Sequence, residues 1–207
     1  MMKYKHIVFD IDGTMLDTEH VLLDVLQQVI FELQGRRVEQ SELLFTSGIP
    51  GDVALRKLGF EDVAAVNDLW NERFKQHFHA VRLFDGIEAV LQKLQEASVT
   101  LGIITSKTHA EYEHDFLPFS LAKYFTTVIC VSDVDHPKPS PDSMLKYMEL
   151  TGANPREILY IGDTQYDMQC AKGAGADFAL ALWDAASRYE GADYYLSQPE
   201  EIVALLG

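Results

Sequence analysis

Positive charge is scarce in this chain. Seventeen Lys and Arg stand against 32 Asp and Glu in 207 residues, a formal net charge of −15. That balance argues against nucleic acid or an anionic membrane surface as a partner, because both are bound through arrays of basic side chains. An anionic small molecule would have to be drawn in by local cations rather than by the overall field. Cysteine is equally sparse. Cys130 and Cys170 lie in apolar or helical patterns and read as buried free thiols, not as a disulfide framework. Long apolar runs are missing too. The amino-terminal stretch reaches Asp10 after a short apolar run, which predicts neither a signal peptide nor a membrane span, and with that a cytoplasmic location. No internal repeat or low-complexity tract stands out, and the length suits one buried core plus a smaller insertion.

What the chain does have is carboxylates where apolar runs stop. In His6-Ile-Val-Phe-Asp10-Ile-Asp12-Gly13-Thr14 two of them sit two residues apart, so an extended backbone would aim both at one region. Gly13 lets the chain turn there without a side chain in the way. Three further apolar runs end similarly. Leu101–Ile104 stops at Thr105-Ser106-Lys107, Ile158–Ile161 stops at Gly162-Asp163-Thr164-Gln-Tyr-Asp167, and Thr127–Val131 leads through Ser132–His136 to Pro137-Lys138-Pro139. Short β-branched runs alternating with helical patterns predict an α/β protein, a parallel sheet with helices on both faces. Such sheets bind ligands at the carboxyl ends of their strands. Three or four carboxylates, a hydroxyl and a lysine would then meet in a small volume. Like charges that close need a cation, and an all-oxygen donor set suits Mg²⁺.

Between the first two strands the pattern changes. Val21, Leu22, Val25, Leu26, Val29, Ile30 and Leu33 recur at helical steps up to Gly35, and Asp52–Leu58 and Val63–Phe78 read the same way, so 17–81 is predicted to be a helical insertion. Residues 1–16 and 82–207 would form the core. There the alternation runs through a helix at Ile87–Glu96, strand Thr100–Ile104, a helix over Met144–Leu150, a helix at Thr164–Lys172, strands near Asp177–Leu182 and Tyr194–Leu196, and a closing helix at Pro199–Leu206. Five or six strands are expected in all.

Taken in order, Asp10-x-Asp12-Gly13-Thr14, Thr105 after an apolar strand, Lys138 before Pro-Ser-Pro, and Gly162-Asp163-x-x-x-Asp167 resemble the four motifs of the haloacid dehalogenase superfamily, in its phosphoglycolate phosphatase and β-phosphoglucomutase-like group. The resemblance covers nearly the whole chain. It implies a Rossmann-like core with an inserted helical cap and a Mg²⁺-dependent phosphatase acting on a small phosphorylated metabolite, as a monomer or weak homodimer. It further implies that Asp10 attacks phosphorus to form an aspartyl phosphate and that Asp12 serves as acid and then base. Asp10, the backbone carbonyl of Asp12, Asp163 and, less directly, Asp167 would hold the metal. Gly13, Thr14, Thr105, Ser106 and Lys138 would bind the transferring phosphoryl group. Relatives often carry Asn where Ser106 stands.

Other readings remain beside these. Phosphate transfer by a mutase would need a cap cation, for which Arg56 is the candidate, although a solvated helix charge explains it as simply. A binding protein that keeps the fold would hold metal without releasing phosphate. A phosphorylated receiver domain shares the acidic residues, Thr or Ser and Lys, but carries no long insertion after its first acidic strand. Thr46–Gly51 resembles the cap loop of phosphoglycolate phosphatase-like members and equally reads as an interhelical turn. His77, His79, His109 and His114 are expected to be exposed, Trp70, Phe74 and Phe78 to form a core stripe, Asp133 and Asp135 to be turn residues, and Lys107 to be a surface lysine at a helix entrance.

Overall fold

The computed structural model describes residues 2–46, 51–183 and 189–206. The chain divides into two compact units, Asp17–Arg82 and the remainder, Met1–Leu16 with Leu83–Gly207. The larger unit is built on strands β1 (His6–Phe9), β4 (Thr100–Ile104), β5 (Thr127–Ile129), β6 (Ile158–Gly162), β7 (Asp177–Ala181) and β8 (Tyr194–Leu196). They form one sheet in the order β5-β4-β1-β6-β7-β8, every described pairing parallel. Two short strands, β2 (Leu16–Asp17) and β3 (Arg82–Leu83), pair separately where the chain leaves and re-enters this unit.

Alternation sorts the strand residues onto two faces. Val8, Ile104, Ile129, Ile158, Tyr160 and Phe178 form one buried cluster with Met144 and Tyr147 of α7 (Asp142–Thr151) and Cys170 and Ala171 of α8 (Gln165–Gly173). Gly102 is required there, since a Cβ at that position would overlap the ring of Tyr147. Ile7, Phe9, Leu101, Ile103, Leu159 and Ile161, all at most 1% exposed, occupy the alternate positions; α5 (Ile87–Glu96) packs on β4 and against α9 (Glu201–Ala204). Each such fully buried aliphatic side chain contributes roughly 1.5–3 kcal/mol. Burial on both faces explains why these strands read as continuous apolar runs.

The smaller unit is helical: α1 (Glu19–Gln34), α2 (Gln40–Leu43), α3 (Gly51–Lys57) and α4 (Val63–His77). Gly35 ends α1 in the left-handed region, its N–H on the Phe31 carbonyl, the conformation glycine adopts without a Cβ clash. Val25, Leu26, Val29 and Ile30 are buried, α1 packs on α4, and the Trp70 indole donates to the Leu22 carbonyl at 3.0 Å. Trp70, Phe74 and Phe78 are buried as a core stripe. Arg56 is exposed and paired with Asp52 one turn earlier. Most of the Thr46–Gly51 segment lies outside the described residues.

Two segments depart from expectation. The run expected as strand to Val131 ends at Ile129, because the Asp133 carboxylate takes the Cys130 N–H at 2.8 Å and starts a short 3₁₀ turn at Val131–Asp133. The closing helix is shorter than expected, covering Glu201–Ala204.

Candidate active site

Asp10 follows the last residue of β1, its N–H donating to the Ile161 carbonyl at 2.9 Å so that the ladder with β6 continues one residue past the strand. The residue is 6% exposed. The next residues fold back on themselves: Met15 and Leu16 donate to the Ile11 carbonyl, and Gly13 donates to Leu16. Gly13 adopts φ +71°, and a Cβ there would overlap the Asp163 carboxylate. Glycine is thus needed twice over, for the turn and for the close approach. Thr14, fully buried, donates its hydroxyl to Asp163 Oδ1 at 3.1 Å, and the Trp183 indole holds the Thr14 carbonyl at 3.1 Å.

Asp163 follows β6 directly, and Asp167 lies in the first turn of α8, where Thr164 caps the helix. Thr164 donates its N–H and its hydroxyl to Asp167 Oδ2, at 3.0 and 2.6 Å, while the Asp167 N–H returns to the Thr164 hydroxyl. A capping box thereby fixes an acidic side chain inside the site. The other oxygen, Oδ1, accepts from Lys138 Nζ at 2.6 Å and lies 2.9 Å from the Tyr160 hydroxyl. Lys138 also reaches Asp10 Oδ1 at 3.1 Å. Asp10, Asp163 and Asp167 each offer an oxygen within 4.8 Å of the others.

Three carboxylates therefore face a single ammonium. Burial, with Asp167 and Asp12 adding to it against the pull of Lys138, pushes the Asp10 carboxyl up to about 7. Burial, then Asp167 and Asp10, pushes Asp163 well above the usual carboxylate range. Burial alone would lower Lys138, but Asp10 and Asp167 more than offset it and keep it charged. The cluster is short of positive charge, and its donors are all oxygen. That chemistry fits a hard divalent cation, which would balance the excess and let the carboxylates ionise together.

The remaining sequence-derived residues lie on neighbouring strand ends. Thr105 follows β4 and is 2% exposed, with its N–H on the Ile129 carbonyl and its hydroxyl accepting from the Lys107 N–H at 3.1 Å. Ser106 is exposed. The Asp12 carboxylate is outside the three-acid group and pairs with Lys107 Nζ at 3.1 Å. Lys107 itself corrects the expectation of a surface lysine. It is 8% exposed and held between Asp12 and Asp115, the latter at 2.7 Å. Nothing near it in the chain announces this, because one partner lies at the end of the following helix, α6 (His109–Asp115), and the other beyond the helical insertion. Tyr160 was equally hidden, inside an apolar strand. Its hydroxyl sits 2.9 Å from the Ile104 carbonyl and from Asp167 and 3.3 Å from Lys138, and burial followed by Asp167 keeps the phenol protonated.

His109, Cys130 and Asp133 also approach within 4.8 Å. Their atoms are already engaged locally, His109 on Asp133 at 2.8 Å and Asp133 on the Cys130 N–H, and both cysteines are buried free thiols.

A parallel sheet whose central strand ends in a buried, cation-deficient carboxylate marks an α/β protein with its ligand site at the carboxyl edge of the sheet. The profile of the haloacid dehalogenase-like hydrolases matches residues 7–181, and the chain belongs to that family. Pyrophosphatase PpaX of Oceanobacillus iheyensis is 25% identical over 100% of this chain and 98% of its own. A Lactobacillus plantarum protein provisionally assigned as a phosphoglycolate phosphatase superposes with TM-score 0.88 at 24% identity, covering 99% of this chain and 100% of that one. CbbY of Rhodobacter sphaeroides, solved with xylulose 1,5-bisphosphate, superposes with TM-score 0.78 at 20% identity over 100% and 99% of the two chains. The chain is thus an enzyme of a hydrolase family, with a pyrophosphatase among its relatives. Among the described residues no helix is long and apolar enough to cross a membrane.

Proposed function

We propose that this protein is a Mg²⁺-dependent phosphatase of small phosphorylated metabolites, working through an aspartyl-phosphate intermediate on Asp10. The observation that carries the reading is the Asp10 carboxylate itself. It is buried at the end of the central strand, tethered by Lys138 and crowded by Asp163 and Asp167. A purely structural aspartate has no need of such company, whereas a nucleophile that must meet a polyanionic phosphoryl group does.

In this reading Asp10, the backbone carbonyl of Asp12 and Asp163 would be the direct metal ligands. A divalent cation held there would supply neutralising charge to the phosphoryl oxygens and the attacking carboxylate. Asp167 serves them indirectly, since Thr164, Lys138 and Tyr160 already fill both of its oxygens. Its task is to hold Lys138, which also contacts Asp10 and so keeps a positive charge beside the position of the incoming phosphoryl group. Thr105 accepts from the Lys107 N–H, which leaves its own hydroxyl proton for a phosphoryl oxygen. Asp10 attacks phosphorus as the ester oxygen departs, and Asp12, 36% exposed at its side chain, delivers the proton that oxygen needs. Asp12 then takes a proton from the water that cleaves the acyl phosphate, freeing phosphate and restoring Asp10. Such proton transfer contributes about 10²–10⁴-fold. The unit Asp17–Arg82 is assigned the part of a cap that selects substrate.

Inorganic phosphate release from pyrophosphate, phosphoglycolate, sugar phosphates and sugar bisphosphates, with Mg²⁺ or with EDTA, tests this reading. The full-length likeness to PpaX puts pyrophosphate first among the anhydrides. Mg²⁺-dependent release that disappears in Asp10→Asn is expected. Release unaffected by EDTA or by that substitution would overturn the assignment.

A further inference from the structure

Lys107 has more partners than a structural lysine requires. Its ammonium is almost fully buried and bonds Asp115 Oδ2 at 2.7 Å. Asp115, 3% exposed at its side chain, is held on its other oxygen by His114 Nδ1 at 2.6 Å. That pair alone would satisfy a buried charge. The ammonium nevertheless makes a second contact, 3.1 Å to Oδ1 of the half-exposed Asp12. The backbone of the same residue joins two further strand ends, its N–H on the Thr105 hydroxyl at 3.1 Å and its carbonyl accepting from Val131 at 3.0 Å. Burial would lower the Lys107 ammonium, but Asp12 and Asp115 more than offset it, so the cation persists where water is largely excluded.

We infer that Lys107, anchored by Asp115, is a positioning residue that fixes the Asp12 carboxylate for proton transfer to the leaving group. This rests on the phosphatase reading above and adds to it the residue that orients its acid. An unanchored aspartate on a turn samples several rotamers, and only a small fraction would point at the departing oxygen. A bond from a buried, immobile ammonium to one carboxylate oxygen removes that freedom and leaves Oδ2 to carry the proton. Orientation of this kind is where a catalytic group gains most over the same group in water. The Thr105 contact makes the arrangement economical, because one residue sets both the phosphoryl-binding hydroxyl and the acid.

The test compares two esters that differ in their need for a proton. A simple alkyl phosphate expels a strongly basic alkoxide and depends on the acid; p-nitrophenyl phosphate expels a stable phenolate and hardly does. In each case kcat/KM reports the steps up to departure of the alcohol, so the later cleavage of the acyl phosphate, common to both esters, does not enter. Lys107→Met alone would leave Asp115 buried without its cation and could unfold the protein. Lys107→Met/Asp115→Leu removes both charges together, leaving no buried charge without its partner. In that double variant kcat/KM for the alkyl ester is expected to fall roughly 10–100-fold, with less than about threefold loss on p-nitrophenyl phosphate, and Lys107→Arg should retain most of the alkyl-ester activity. Equal losses on both esters, as a lost phosphate contact or a distorted site would give, overturn the proposal, as does no loss on either. If the unmodified protein hydrolyses neither ester, the ester-phosphatase reading itself fails and this inference goes with it, an outcome distinct from the other two.

Discussion

Asp10 shares a nearly dry volume with Asp163 and Asp167 under one lysine, so the arrangement that suits it to the proposed role of nucleophile also strains the fold. Asp10→Asn removes a charge from the crowded group and keeps its shape. Phosphate release is expected to fall by several orders of magnitude, as it does when a nucleophile is deleted, while the thermal midpoint of the metal-free protein at pH 8 rises. Calorimetry beside a phosphate assay checks both, and a lower midpoint would show that the carboxylate is a net stabiliser. Tyr160→Phe bears on the neighbouring contacts. Loss of the hydroxyl among Ile104, Asp167 and Lys138 should cost about 1 kcal/mol and lower kcat several-fold because Lys138 is less well held. Urea titration and steady-state kinetics separate the two effects, and unchanged kcat would confine Tyr160 to folding.

Among the elements, α8 does double duty. Its capping residue Thr164 closes the helix and also grips Asp167 Oδ2. Thr164→Ala should cost about 1–2 kcal/mol and weaken turnover, whereas Thr164→Ser, which keeps the hydroxyl, should do neither; equal behaviour of the two in urea melts and assays would refute the capping account. This element was legible in the sequence because Thr164 and Asp167 are three residues apart and a glycine follows. The buried strands were legible for a related reason, since burial on both faces leaves uninterrupted apolar runs. Helix α6 is anticipated in the sequence only as an entrance after Lys107, with no bounds. Its sequence His-Ala-Glu-Tyr-Glu-His-Asp carries no apolar stripe, and the residue it buries is Asp115. Hydrophobic periodicity cannot register a helix whose inward face is a carboxylate paired with a lysine. The same blindness applies to Lys107 and Tyr160, whose environments are set by residues brought together across strands.

For the molecule as a whole, the acidic site makes stability depend on pH with a definite sign. Folding raises the Asp10 carboxyl from its ordinary 3.8 to about 7, so between those values the folded chain holds the proton more tightly than the unfolded one. Stability of the metal-free protein must then fall as pH rises through that window. Asp163, shifted the same way, adds to the slope, and self-repulsion in a chain of net charge −15 has the same sign. Thermal midpoints in EDTA are expected to decrease from about pH 5 to pH 8, and Mg²⁺ should restore them at pH 8 by binding the folded state. Asp10→Asn should flatten the profile. A midpoint that climbs with pH in EDTA, or ignores Mg²⁺ at pH 8, would contradict the charge balance drawn from the site.

The strand order carries a consequence for biosynthesis. Central β1 is flanked by β4 and β6, so Asp10 is made well over a hundred residues ahead of Lys138, Asp163 and Asp167. At about 5–20 residues per second, translation takes roughly 10–30 s to travel from the first aspartate to the last. Until those residues emerge Asp10 lacks the lysine and the acids that crowd it in the folded chain. Competence arrives late and all at once, when β6 slots in beside β1, and a truncated product ending before that strand would be inert toward the phosphate esters around it.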